Sequence, residues 1–148
     1  MKRLRIQLYE EKYRDDLIFM VLQAKDALGR IPTINEDLMD IPGRYFARGD
    51  RFWVALDEAD RVVGCIGYSR LAGKAEAFLH RLYVKADRKH QGIGTALLRT
   101  AENAMRDQGI AVSHVHLGEP KEQWFESYRF YPKHGYQEYE SRYMRKKL

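Results

Sequence analysis

The run Leu82-Tyr83-Val84-Lys85-Ala86-Asp87-Arg88-Lys89-His90-Gln91-Gly92-Ile93-Gly94-Thr95-Ala96-Leu97-Leu98 carries the densest chemistry in the chain. It reads as a strand, a basic loop with two glycines, and the start of an amphipathic helix. Unpaired N–H groups at such a start, with about half a positive charge from the macrodipole, make an anion site. Glycines at 92 and 94 let phosphate oxygens approach the main chain, and Arg88, Lys89 and His90 add charge around them. Two familiar phosphate loops are excluded. No Gly-Lys is followed by Ser or Thr, so this is not the loop of nucleotide hydrolases. Gly92-Ile93-Gly94 also lacks the third glycine and the opening βαβ setting of a dinucleotide fingerprint. Alone, Gly-x-Gly is explained equally well by a tight turn into a packed helix.

Other residues could move protons. Glu76, Phe78, His80 and Leu82 share parity on the strand that enters this loop, so a regular strand points them to one face. A histidine near its ordinary pKa of about 6.5 suits proton traffic at neutral pH, while Glu76 reads by itself as a solvated residue beside a turn. Tyr128, Tyr131, Tyr136, Tyr139 and Tyr143 form an aromatic-rich end that either packs as core or supplies a hydroxyl. His114 and His116 stand two apart on a strand and could ligate a metal, but no third ligand has a convincing spacing. We assign them surface or site-lining roles and expect no metal. The lone Cys65, among Val62, Val63, Gly64 and Ile66, reads as a buried thiol; it excludes an internal disulfide framework and any Cys-x-x-Cys motif.

Regular elements must position these groups. Residues 3–9 alternate Leu4, Ile6 and Leu8 with polar residues, the period of a half-buried strand. From 11 to 28, Tyr13, Leu17, Met20, Val21, Ala24 and Leu28 fall at helical spacing, and Gly29 sits where a left-handed cap belongs. Residues 32–49 are irregular, with a short helix expected at 35–39 and a break at Pro42-Gly43. Arg44, Arg48 and Arg51 surround Tyr45 and Phe46 there, as a solvated connection or as a mobile lid over a ligand. A meander comes next, with strands at 52–56, 62–71 and 75–84. The helix after Gly92 buries Ile93, Leu97, Leu98, Ala101, Ala104 and Met105 and ends at Gly109. A strand at 110–117, a break at Gly118-Glu119-Pro120, a helix at 121–133 and one or two closing strands at 136–144 complete the chain. Arg142, Arg145, Lys146 and Lys147 read as a basic tail that solvates the closing strand. A strand-helix-strand unit after an antiparallel meander predicts an α+β sheet of mixed direction.

Composition bounds the answer. At 148 residues and 17.5 kDa the chain is expected to be one domain, residues 1–148, and 45% hydrophobic with 32% charged residues excludes wholesale disorder. The net charge of +5 suits an anionic ligand or nucleic acid without choosing between them. No stretch reaches the roughly 20 apolar residues of a membrane span. The basic start, Met1-Lys2-Arg3, leads into charged residues instead of an apolar signal core, so a cytoplasmic protein without a membrane partner is expected.

With its surroundings, the glycine loop resembles motif A of the GNAT N-acetyltransferase superfamily, [QR]-x-x-G-x-[GA], which follows the fourth strand. Phe52-Trp53-Val54-Ala55 with Val62-Val63-Gly64 is similar to that family's second and third strands. Phe130-Tyr131-Pro132-Lys133-His134-Gly135-Tyr136 is similar to its late tyrosine motif. Two departures are visible: Lys89 replaces the first Gln or Arg, and Trp124 stands where many members have asparagine. The resemblance implies an α+β fold with a mixed, mostly antiparallel sheet of six to seven strands flanked by about four helices. It implies acetyl-CoA as cosubstrate, its pantetheine arm along Leu82, Tyr83 and Val84, and its pyrophosphate around Arg88, Lys89, His90, Gln91, Gly92, Ile93, Gly94 and Thr95.

It further implies transfer of the acetyl group to a primary amine by direct attack in a ternary complex. Tyr131 would be the acid at the coenzyme sulfur, and His80 or Glu76 the base, directly or through water. Cys65 lies away from these motifs, so no covalent acetyl-enzyme is expected. In such proteins segments equivalent to 28–46 and 136–144 line the acceptor pocket. Here they offer Tyr45 and Phe46 with Arg44 and Arg48, and the lack of a dense acidic patch disfavours polycationic acceptors. Paired monomers are common in the family, so a homodimer stays open. A non-catalytic acyl-CoA-binding module would share every cofactor feature, but His80, Glu76 and Tyr131 together argue against it. A nucleic-acid-binding domain would interleave aromatic and basic residues along a strand face; here the basic cluster is at a helix start.

Overall fold

The computed structural model of the protein describes residues 4–148. Strand β1 (Arg5–Leu8) leads through a 3-10 turn into helix α1 (Arg14–Ala27); Arg3, the first residue of the expected strand, lies outside the described residues. A 3-10 turn at Glu36–Met39 and the short helix α2 (Ile41–Arg44) precede the meander β2 (Arg51–Leu56), β3 (Val62–Arg70) and β4 (Glu76–Val84). Helix α3 (Ile93–Asp107), β5 (Val112–His116), α4 (Phe125–Lys133), β6 (Gln137–Glu140) and β7 (Tyr143–Lys147) complete the order. The seven strands form one sheet in the order β1-β2-β3-β4-β5-β7-β6, antiparallel except for β4 beside β5. Among the described residues no helix is long and apolar enough to cross a membrane.

Over β2 to β4 the strands bury both faces of the sheet. On one face α1 lays Leu17, Met20, Val21 and Ala24 against Phe52, Val54, Leu56, Cys65 and Tyr83. On the other, α3 lays Ile93, Leu97, Leu98, Ala101 and Met105 against Ala55, Val63, Ile66, Ala77 and Leu79. Each large aliphatic side chain so buried is worth about 1.5–3 kcal/mol. A Cβ at Gly64 would lie 2.9 Å from Leu97 Cδ1, so the glycine lets α3 sit directly on β3.

Two irregularities in β4 set the geometry of the glycine loop and of the residues around His80. The strand's parallel pairing with β5 runs only over Glu76, Phe78 and the residue between them, so from His80 onward the strands splay apart. Its register with β3 also shifts between Cys65 and Gly67, and Arg81 takes a left-handed φ of 57°. This bulge sets Arg81 on the same face as His80 and turns Leu82 to the other, where Leu82 and Val84 pack into the α3 core. The expected shared face of Glu76, Phe78, His80 and Leu82 therefore holds only for the first three.

Other expectations also change. Pro42-Gly43 is not a break: Asp40 accepts the Gly43 N–H at 3.1 Å, and Pro42 sits in the first turn of α2, where a missing N–H costs nothing. The expected helix at 121–133 is a 3-10 turn followed by α4. The closing segment is two strands, and the basic tail is part of the sheet, since Lys147 lies opposite Val112.

Candidate active site

The glycine loop ends in an open elbow. His90 and Gly92 take left-handed φ angles of 64° and 80°, and a Cβ built on Gly92 meets no atom within 4 Å. The main-chain N–H groups of residues 91–95 find no acceptor among the described residues, and at Gly92 they border open space at the start of α3. The flanking cations are held by carboxylates. Arg88 pairs with Asp57 at 3.2 Å and Lys89 with Glu126 at the start of α4.

The elbow continues into the free edge of β4. Lys85 donates to Val63 O on β3 at 2.8 Å, so strand alternation aims the N–H groups of Val84 and Leu82 the other way, into the splay. Tyr131, on α4, packs edge-on to Phe130 and Tyr136. Its hydroxyl takes no protein partner, yet no buried side-chain polar atom among the described residues is orphaned, so it opens onto accessible space. Burial raises its pKa well above the ordinary phenol value, which keeps the proton on the oxygen.

His80 faces the α1 side of the sheet. Its Nε2 shares a 2.6 Å hydrogen bond with Ser69 Oγ on β3. Burial, and then the Arg81 guanidinium, push its pKa from 6.5 to about 4 against the opposing pull of Asp37. The ring is therefore neutral at pH 7 and a far weaker base than its residue type suggests. Glu76 lies elsewhere. It is four residues from His80, about 13 Å along the strand, and it accepts from His114 Nε2 at 2.6 Å. That bond holds its carboxyl below the usual range.

The acceptor-lining expectation for Tyr45 meets a different environment. Tyr45 is buried against Phe52 and its hydroxyl donates to Asp37 Oδ2 at 2.7 Å; its ring meets that of His80 in a T-shaped pair, 6.4 Å between centroids. Phe46 is half-buried beside it. The 28–46 segment is pinned at three points. Arg81 grips Asp37 with bonds of 2.9–3.2 Å, Lys25 donates to Asn35 Oδ1 at 2.6 Å, and Arg30 stacks 3.7 Å over Trp124 while donating to Gln123 O. Sequence reasoning missed Ser69, Arg81, Asp37 and Arg30. Only Arg81, next to His80 in the strand, carried any local signal.

The sequence profile of the Acetyltransferase (GNAT) domain matches residues 48–138. Human N-acetyltransferase 8 is 39% identical over 85 residues, 53% of this chain and 37% of that protein. Rat N-acetyltransferase 8 is 36% identical over 81 residues, 51% of this chain and 36% of that protein. The matched stretch thus spans little more than a third of these relatives. Among solved structures, a GNAT-family acetyltransferase from Staphylococcus aureus has a TM-score of 0.88 at 22% identity and covers 99% of both chains. The PaiA N-acetyltransferase of Thermoplasma acidophilum, solved in complex with coenzyme A, has a TM-score of 0.77 at 20% identity, again covering 99% of both chains.

Proposed function

Because this chain belongs to the GNAT acetyltransferase family, we propose that it transfers an acetyl group from acetyl-CoA to a primary amine, which attacks directly with both substrates bound. The observation that carries this reading is the cradle of unpartnered N–H groups at residues 91–95 beside the free edge of β4. A diphosphate fits that cradle chemically, since main-chain N–H groups at a helix start favour compact anions and Gly92 leaves them room. Leu82, Tyr83 and Val84 offer an edge for the pantetheine arm. The coenzyme A in the Thermoplasma neighbour supports the choice of cosubstrate. Bound acetyl-CoA supplies the acyl thioester and a thiol leaving group.

The chain's own residues do the rest. The N–H of Leu82 or Val84, aimed into the splay, donates to the acyl oxygen, a role worth about 3 kcal/mol. Tyr131, kept protonated by burial, donates to the thiolate as the C–S bond breaks, and the proton that the amine sheds on forming the amide restores the hydroxyl directly or through water. His80, neutral and bonded to Ser69, orients the amine through a hydrogen bond but is too weak a base to strip an ammonium group. The amine must therefore arrive neutral, which for a lysine-like group costs about 4–5 kcal/mol at pH 7.

Isothermal titration with coenzyme A at low salt tests the core of the proposal: binding is expected, and its absence overturns the reading. Tyr131→Phe should lower turnover by about 100-fold while leaving coenzyme A affinity within about twofold. Unchanged turnover removes Tyr131 from the mechanism.

A further inference from the structure

The face of the sheet that carries His80 continues past β4 onto β5, β7 and β6. Helix α1 packs on β3 and β4, and the apolar cluster it forms includes no residue of β5, β6 or β7. What this open face displays is a wall of rings. Phe78 and His114 are register partners whose rings stack at 4.9 Å. His116 and Tyr143 are the next pair, stacked at 4.3 Å and 5°. Tyr139 closes the group, 5.5 Å from His114 and 6.1 Å from Tyr143.

Side chains stacked across strands stand upright on a sheet, so the wall offers ring edges outward. Those edges carry the positive end of the aromatic quadrupole and suit the face of another ring. At the far end the Arg145 guanidinium lies 4.5 Å over Tyr139. It is exposed and takes no carboxylate partner among the described residues. Glu76, which stands in the same wall, is already bonded to His114. The platform thus has an aromatic floor and, at its outer end, a cation that lies over Tyr139 and within electrostatic reach of Glu76 without a salt-bridge partner among the described residues. Arg145 lies opposite His114, which lies opposite Phe78. It is therefore two strands across and two residues along from His80, on the order of 10 Å away.

We infer that this wall is the acceptor platform, and that it selects small amines with a flat aromatic body and an anionic group about 10 Å from the amine. The inference rests on the acetyl-transfer reading above for the position of the amine, at His80. It assigns specificity to Phe78, His116, Tyr139, Tyr143 and Arg145, with the acceptor's ring lying across the ring edges and its acid paired with Arg145.

The test pairs equilibrium binding with thiol release, using 4-(2-aminoethyl)benzoate, phenethylamine and spermidine. The expected order, in affinity and in thiol release from acetyl-CoA, is benzoate derivative first, phenethylamine second and spermidine last. Arg145→Gln should weaken the benzoate derivative about 10-fold more than phenethylamine, and Tyr143→Ser should weaken both aromatic amines. Spermidine binding as well as the benzoate derivative, or an equal effect of Arg145→Gln on both aromatic amines, overturns the platform. So does failure of the benzoate derivative to bind. If it binds in an Arg145-dependent way while no amine releases thiol, the platform stands and the transfer reading falls.

Discussion

Burial and the neighbouring Arg81 hold the His80 ring neutral down to about pH 4, while Ser69 Oγ fixes its Nε2. Its residue type suggested a group that titrates near pH 6.5, and the fold replaces that base with a neutral hydrogen-bonding surface. The shift has a thermodynamic counterpart. Between pH 6.5 and about 4 the unfolded chain binds a proton that the folded ring refuses, so stability is full above 6.5 and falls as pH drops through this window. His80→Gln removes the difference. In urea denaturation at a series of pH values, the native protein should lose on the order of 2 kcal/mol more than the variant across that window. Equal slopes would mean that the ring is not held uncharged. Tyr131 shows the complementary case, since its place in the late tyrosine motif was legible but the free, proton-retaining hydroxyl comes from burial.

The bulge in β4 is the element on which the site turns. A left-handed φ at Arg81 costs about 1–2 kcal/mol, and the fork that Arg81 makes with Asp37 offsets it. Asp37 also takes the Tyr45 hydroxyl, so one carboxylate ties the 36–39 turn, the segment after α2, and β4 together. Asp37→Ala strands a half-buried guanidinium and a buried hydroxyl. It should cost about 2–4 kcal/mol, read as a fall in Tm of about 5–15 °C. A fall under about 2 °C would show that the bulge holds itself without the carboxylate. No periodicity announced this element, because Phe78, His80 and Leu82 alternate across it without a visible fault. The bulge is written in the competition between two cores for Leu82 and Tyr83.

Across the whole molecule, a net charge of +5 draws anions toward the surface, but Arg88 and Lys89 beside the cradle are both paired with carboxylates. On the proposed reading, attraction to a diphosphate divides between fixed main-chain dipoles, which salt screens little, and the general field, which salt screens well. Raising salt from about 50 to 300 mM should weaken coenzyme A binding about 3- to 10-fold by calorimetry. A much steeper loss would mean that Arg88 and Lys89 leave their partners and carry the phosphates themselves.

The strands before the closing pair, the stripes of α1 and α3, and the glycine elbow were determined by the sequence alone. Each is a local property: a period of two or 3.6 residues, or a backbone angle that only glycine adopts freely. The short α2 and the basic closing strand escaped because proline and lysine runs read as breaks and tails until their hydrogen-bond partners are known. Tertiary structure decided the rest. Where β4 leaves β5, how far His80 lies from water, that Asp37 meets Arg81 across 44 residues, and that rings from four strands share one face all depend on register. Register is set by which cores the strands fill together, and no single stretch of chain contains that information.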